Sequence, residues 1–175
     1  MGKNFPSIIA LGIVLLGMLS VAVKVQGEKA GETIYIRADG KVDPPTSPIS
    51  SVDNVIYCLT DNIYVRMYYD YGVVVERSNI TIDGNGYTLQ SSGNNYYGLY
   101  LHRINNVTVK NINVKGFPFG LVFSSSSYSS IIRSNITNNG CGIELYKSSS
   151  NSIVGNNIKA NNGWPGGVRL ANSSN

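Results

Sequence analysis

Charge is scarce in this chain. Only 14% of its residues are Asp, Glu, Lys or Arg, against about 25% in ordinary soluble domains. Acidic residues are rarest where the chain is most regular: beyond Asp83 the only carboxylate is Glu144, against seven basic residues, Arg103, Lys110, Lys115, Arg133, Lys147, Lys159 and Arg169. Glycoside hydrolysis needs two facing carboxylates, and a calcium site needs several oxygen ligands of this kind. A single glutamate supplies neither, so no catalytic residue is assigned there. The net charge of +4 is too small to argue for a nucleic-acid partner. Two cysteines, Cys58 and Cys141, are too few for a disulfide framework, and both read as small buried apolar residues. Because 42% of the residues are hydrophobic, low charge here does not mean disorder.

Long apolar runs are missing too, except at the start. Lys3 precedes an uncharged stretch over residues 8–23. This is the pattern of an export signal, with cleavage after Ala22 or Gly27. The run from Asn4 to Val23 is also long enough to serve as an uncleaved membrane anchor. Either way residues 1–27 form a leader, the rest of the chain is expected to be extracellular, periplasmic or on the cell surface, and membrane contact is confined to this segment.

What the rest does have is a period. Gly98, Gly120 and Gly142 lie 22 residues apart, as do Leu99, Leu121 and Ile143, and Leu101, Phe123 and Leu145. Val109, Ile131 and Ile153 keep the step, as do Val114, Ile136 and Ile158, and Asn113, Asn135 and Asn157. Gly167 opens another unit 25 residues after Gly142, and Val73 to Gln90 forms an earlier one. Within each unit the apolar residues alternate over short groups, as in Leu99-Tyr100-Leu101, which is strand periodicity. One unit cannot bury its own apolar side, but stacked units can. The expected fold is therefore all-β: a solenoid of three short strands per 22-residue coil, about four to five coils, each strand pairing in parallel with its equivalent about 4.8 Å away. Asn113, Asn135 and Asn157 form a structural ladder of side-chain amides. Residues 28–72 are expected to cap the first coil. Residues 73–175 form the coils, and their last residues, Leu170 to Asn175, stop partway through a unit, which reads as a truncated C-terminus.

The strand starts GLYL, GLVF and GIEL, the turns NITN and NNIKAN, and the spacer SSSNSIV resemble right-handed parallel β-helix proteins of the pectin-lyase-like type. More narrowly, they resemble the NosD-like and carbohydrate-binding parallel-repeat group of exported proteins. This resemblance implies three functions. The first is an exported scaffold or polysaccharide-binding module that is not an enzyme in these coils. The second is a fragment of a polysaccharide lyase or hydrolase with its site in further coils. The third is a NosD-like accessory protein for copper-site maturation. Copper needs clustered thiolate, thioether or imidazole ligands; Met67, His102, Cys58 and Cys141 are widely spaced, so no metal or other cofactor is assigned. Asp83-Gly-Asn-Gly86 reads as a first-coil turn in preference to a calcium loop.

For the binding reading, Tyr100, Val122, Glu144 and Arg169 are expected to form one outward row, because they alternate with interior residues. Arg103, Tyr146 and Lys147 lie beside it. Aromatic faces suit sugar rings and cations suit acidic sugars, so the candidate binding residues are Tyr100, Arg103, Glu144, Tyr146, Lys147, Trp164 and Arg169, with a polysaccharide or cell-envelope glycan as partner. Tyr96, Phe117 and Trp164 fall at the corner before each glycine and are open to either role. Tyr97, Phe119 and Cys141 are expected to fill a corner of the core.

Overall fold

The computed structural model describes residues 32–66, 71–92 and 96–174; the leader expected over residues 1–27 lies outside them, as does Met67. Among the described residues no helix is long and apolar enough to cross a membrane, and every regular element is a strand. The first five are β1 (Ile34–Ile36), β2 (Val42–Asp43), β3 (Ile49–Ser50), β4 (Ile56–Leu59) and β5 (Ile63–Val65). Four regular turns follow. They are β6 (Val73–Val75), β7 (Ile80–Asp83) and β8 (Thr88–Ser91); β9 (Tyr97–His102), β10 (Val107–Lys110) and β11 (Asn113–Lys115); β12 (Phe119–Ser124), β13 (Ser130–Ile132) and β14 (Asn135–Thr137); and β15 (Cys141–Tyr146), β16 (Ser152–Val154) and β17 (Asn157–Lys159). β18 (Val168–Ala171) lies on β15.

The chain visits three sheets in rotation. The seven-stranded sheet runs β18-β15-β12-β9-β6-β1-β2, the six-stranded sheet β16-β13-β10-β7-β4-β3, and the five-stranded sheet β17-β14-β11-β8-β5. Pairing between rungs is parallel, and its register is the one that the repeat predicts: Leu121 lies opposite Leu99 and Ile143, Ile131 opposite Val109 and Ile153, and Ile136 opposite Val114 and Ile158. Leu99, Leu121, Ile136 and Ile143 are fully buried, each contributing about 1.5–3 kcal/mol through burial.

The segment expected to cap the first coil is itself a rung. β1, β4 and β5 add one parallel strand to each sheet, against β6, β7 and β8. Only β2 and β3 act as covers, pairing antiparallel with β1 and β4 at the sheet edges, where unpaired backbone would otherwise be exposed.

Three corners join the sheets, and their polar residues point inward as well as outward. Ser126, Ser129, Ser134 and Ser148 are at most 2% exposed. Each offers its hydroxyl to a backbone N–H of the preceding rung: Ser126 to Ile104, Ser129 to Val107, Ser134 to Ile112 and Ser148 to Ser126. Asn139, Asn151 and Asn156 do the same through their side-chain oxygens for Phe117, Ser129 and Ser134. Serine and asparagine thus satisfy buried donors, as burial of backbone requires. The Asn113, Asn135 and Asn157 amides stack on the outside, with Asn135 Nδ2 2.7 Å from Asn113 Oδ1 and Asn157 Nδ2 3.2 Å from Asn135 Oδ1. The corner leading from the five-stranded to the seven-stranded sheet varies in length. Val114 to Leu121 and Ile136 to Ile143 are seven positions apart, whereas Leu89 to Leu99 and Ile158 to Val168 are ten, with the registers on both sides intact.

Both cysteines are free. Cys141 is buried, but Cys58 is half-buried opposite Asp83 in register, because its neighbours Tyr57 and Leu59 occupy the inward positions of β4. The expectation that both cysteines are buried thus holds for Cys141 and not for Cys58. Burial, and after it the charge of Glu144, pushes the Cys141 thiol up to about 11, so at pH 8 it stays protonated and unreactive. Iodoacetamide at pH 8 is expected to alkylate Cys58 in the folded protein and Cys141 only after denaturation, as peptide mass spectrometry would report. Equal labelling of both in the native state would contradict the burial of Cys141.

Candidate functional site

The outer face of the seven-stranded sheet carries three columns of side chains that run along the solenoid axis. The central column holds Tyr35, Val74, Tyr100, Val122, Glu144 and Arg169, placed by the strand register. His102, Ser124, Tyr146 and Ala171 form the second. Tyr97, Phe119 and Cys141 form the third.

This third column corrects an expectation. Counted by alternation from Leu99, Tyr97 and its equivalents should point inward. They do not, because Gly98 does: a Cβ there would lie 2.9 Å from Val114 and 3.0 Å from Phe117 in the core, and 2.5 Å from the Gly120 carbonyl. Two consecutive inward residues, Gly98 and Leu99, reverse the parity, and the Tyr97 ring lies 5.0 Å from that of Tyr100 on the outer face. Phe117, by contrast, is core and only 2% exposed. The row Tyr100, Val122, Glu144 and Arg169 is outward as expected, but Val122 and Glu144 are 3% and 8% exposed, shielded between larger neighbours.

The aromatic rings are concentrated at the N-terminal end of the face. Tyr71 stacks on Tyr100 at 5.5 Å and 24°, and lies 5.4 Å from Tyr97 and 6.0 Å from Tyr96. Phe119 meets Tyr97 edge-on at 5.6 Å, and His102 stacks on Tyr100 at 5.9 Å. Burial, reinforced by the neighbouring tyrosines, raises the pKa of the Tyr71 and Tyr97 phenols, which keeps them neutral and able to donate hydrogen bonds. Tyr71, Tyr97, Phe119 and His102 were not assigned to the site from the sequence. The recurring glycine column was the one signal that could have revealed the first break in alternation.

At the other end the face is charged. Arg169 pairs with Glu144, and its guanidinium lies 5.3 Å from the Trp164 ring. Trp164 is 84% exposed, on one of the lengthened corners; Tyr96, on another, is 46% exposed. Lys147 Nζ leans to 5.2 Å from the Tyr146 ring. Arg103 and Lys147 are equivalent corner residues, both with left-handed backbone (φ 55° and 49°), with Ser125 between them in the same conformation. The structure thus puts Tyr100, Glu144, Tyr146, Trp164 and Arg169 on one face, with Arg103 and Lys147 along its edge.

The three carboxylates of the regular coils are in separate ion pairs, Glu76 with Arg37 at 3.2 Å. Glu144 is on this face; Asp83 is on the six-stranded sheet, where it pairs with Lys110 at 3.1 Å and accepts hydrogen bonds from the Asn85 backbone and the Asn111 amide. Burial alone would raise the Asp83 pKa, but these donors together outweigh it and the net shift is downward. Its bonds to Asn85 and Asn111 close the Asp83–Gly86 turn. Among the described residues no three His, Cys, Asp or Glu side chains are grouped so as to hold a metal ion.

A family model described as a right-handed beta helix region matches residues 49–175. No curated protein and no solved structure matches the chain.

Proposed function

We propose, from the premise that the chain belongs to the right-handed beta helix family, that it is an exported or surface-displayed scaffold whose seven-stranded sheet binds glycans without cleaving them. Within that family we favour the NosD-like and carbohydrate-binding parallel-repeat group, on the strand starts GLYL, GLVF and GIEL. The observation that carries the reading is the continuous wall of Tyr71, Tyr96, Tyr97, Tyr100 and Phe119 on a flat strand surface. Sugar rings present apolar C–H faces, which stack on aromatic rings while their hydroxyls reach neighbouring polar groups. Tyr96 and Trp164, both exposed, stand on two of the lengthened corners beside the wall.

Titration of the purified chain against a panel of neutral and acidic polysaccharides, with chain cleavage assayed in parallel, tests this. Tyr100→Ala and Trp164→Ala are each expected to weaken binding about tenfold. Tyr128→Ala serves as the control, since Tyr128 is 70% exposed but sits at a different corner. Equal losses from all three variants would refute the assigned face, and cleavage of the polysaccharide would refute the non-catalytic reading.

A further inference from the structure

Beyond Asp83, five cations, Arg103, Lys115, Arg133, Lys147 and Lys159, pair with no carboxylate among the described residues, and four of them fall in two regularly spaced columns. Arg103, Ser125 and Lys147 occupy one corner column, with successive backbone bonds to the rung below. Both cations are exposed, and neither pairs with a carboxylate among the described residues. Two rungs separate them, about 10 Å at the usual strand spacing.

The same alternation of cation, hydroxyl and cation recurs on the five-stranded sheet, where Lys115, Thr137 and Lys159 share a column. Part of it has a plain cause. In-register stacking would put like charges one rung apart, about 4.8 Å, and a hydroxyl between them relieves the repulsion. That cause explains the spacing on both faces but not the placement. Lys115 and Lys159 stand beside the asparagine ladder. Arg103 and Lys147 edge the aromatic face, and Lys147 leans back over Tyr146.

We infer that the ligand is an acidic polysaccharide with one negative group per disaccharide, lying along the solenoid axis with successive anions at Arg103 and Lys147. This rests on the glycan-binding reading above and adds the charge period of the ligand. A chain with an anion on every sugar would put every second one opposite Ser125, where there is no cation. Alternating acidic and neutral sugars match the column: the acidic ones meet Arg103 and Lys147, beside Tyr100 and Tyr146 of the same rungs, and the neutral one between them meets the Ser125 hydroxyl.

The test compares hyaluronan, with one carboxylate per disaccharide, polygalacturonate, with one on every sugar, the best-binding neutral glycan of the panel, and duplex DNA. Two double variants are used, Arg103→Ser with Lys147→Ser, and Lys115→Ser with Lys159→Ser, which remove equal charge at equal spacing from different faces. The expected result is tighter binding of hyaluronan than of polygalacturonate. The first pair of substitutions should weaken hyaluronan binding five- to tenfold and neutral-glycan binding by a smaller factor, while the second changes hyaluronan binding less than about twofold. Equal losses from both pairs, a preference for polygalacturonate, or DNA binding as tight as hyaluronan would overturn the inference in favour of a general attraction for polyanions. Binding of neutral glycans alone would overturn it and leave the aromatic face intact; binding of no glycan would overturn both readings.

Discussion

Replacing Ile136 with aspartate is expected to abolish cooperative unfolding of the C-terminal rungs. Ile136 is fully buried, between Val114 and Ile158 in its column. A carboxylate there has no partner, and the cost of burying an unpaired charge exceeds the stability of a typical domain. The milder Ile136→Ala removes packing alone and should cost about 2–5 kcal/mol. Thr137→Asp, one residue along the same strand but half-exposed on the outer side, should cost less than about 1 kcal/mol. Urea titration followed by circular dichroism reads all three. Because each rung contacts only its neighbours, the loss should begin in the rungs flanking β14. A stable, cooperatively folded Ile136→Asp protein would mean that this column is not the core.

A second large effect is expected from a polar residue. Asn139 is 4% exposed. Its Oδ1 accepts from the Phe117 N–H at 3.1 Å, and its Nδ2 donates to the Val114 carbonyl at 3.1 Å. Asn139→Leu keeps the volume but orphans both groups inside the solenoid, at about 1–3 kcal/mol each, so a loss of about 3 kcal/mol or more is expected. Asn135→Ala, which removes the central member of the outer ladder, leaves groups that water can reach and should cost about 1 kcal/mol or less. If the outer asparagine proved as costly to remove as the inner one, the distinction between the two ladders would fail.

These two asparagines mark how far the sequence could be read. Columns spaced by 22 residues predict which residues lie over which, because stacking makes register and period the same thing. The outer ladder was legible for that reason. Asn139, and Ser126, Ser129, Ser134 and Ser148, share the period but were not singled out from the sequence: polarity argues for water unless the backbone donors of the neighbouring rung are counted. Tyr97 and Phe119 were misplaced by counting alternation through Gly98, where the strand turns its face. The first rung escaped detection as a rung because β2 and β3 lie between β1 and β4, which puts Ile34 and Val73, paired in the sheet, 39 positions apart in the chain. For the candidate site, the central row and its flanking cations follow from the repeat, whereas the ring cluster around Tyr71 depends on contacts between rungs that no single repeat displays.

The corner that opens onto the seven-stranded sheet spans seven positions in two rungs and ten in three others, with the pairing on either side undisturbed. Peptide at that position is therefore exchangeable. New loops can be grafted there, or arise there by insertion, because the strand register on either side does not depend on the length of the corner. Tyr96 and Trp164 occupy two of the longer versions. In this architecture the lineage of the scaffold and the choice of ligand can diverge independently: one is inherited through the columns, the other rewritten at a single corner.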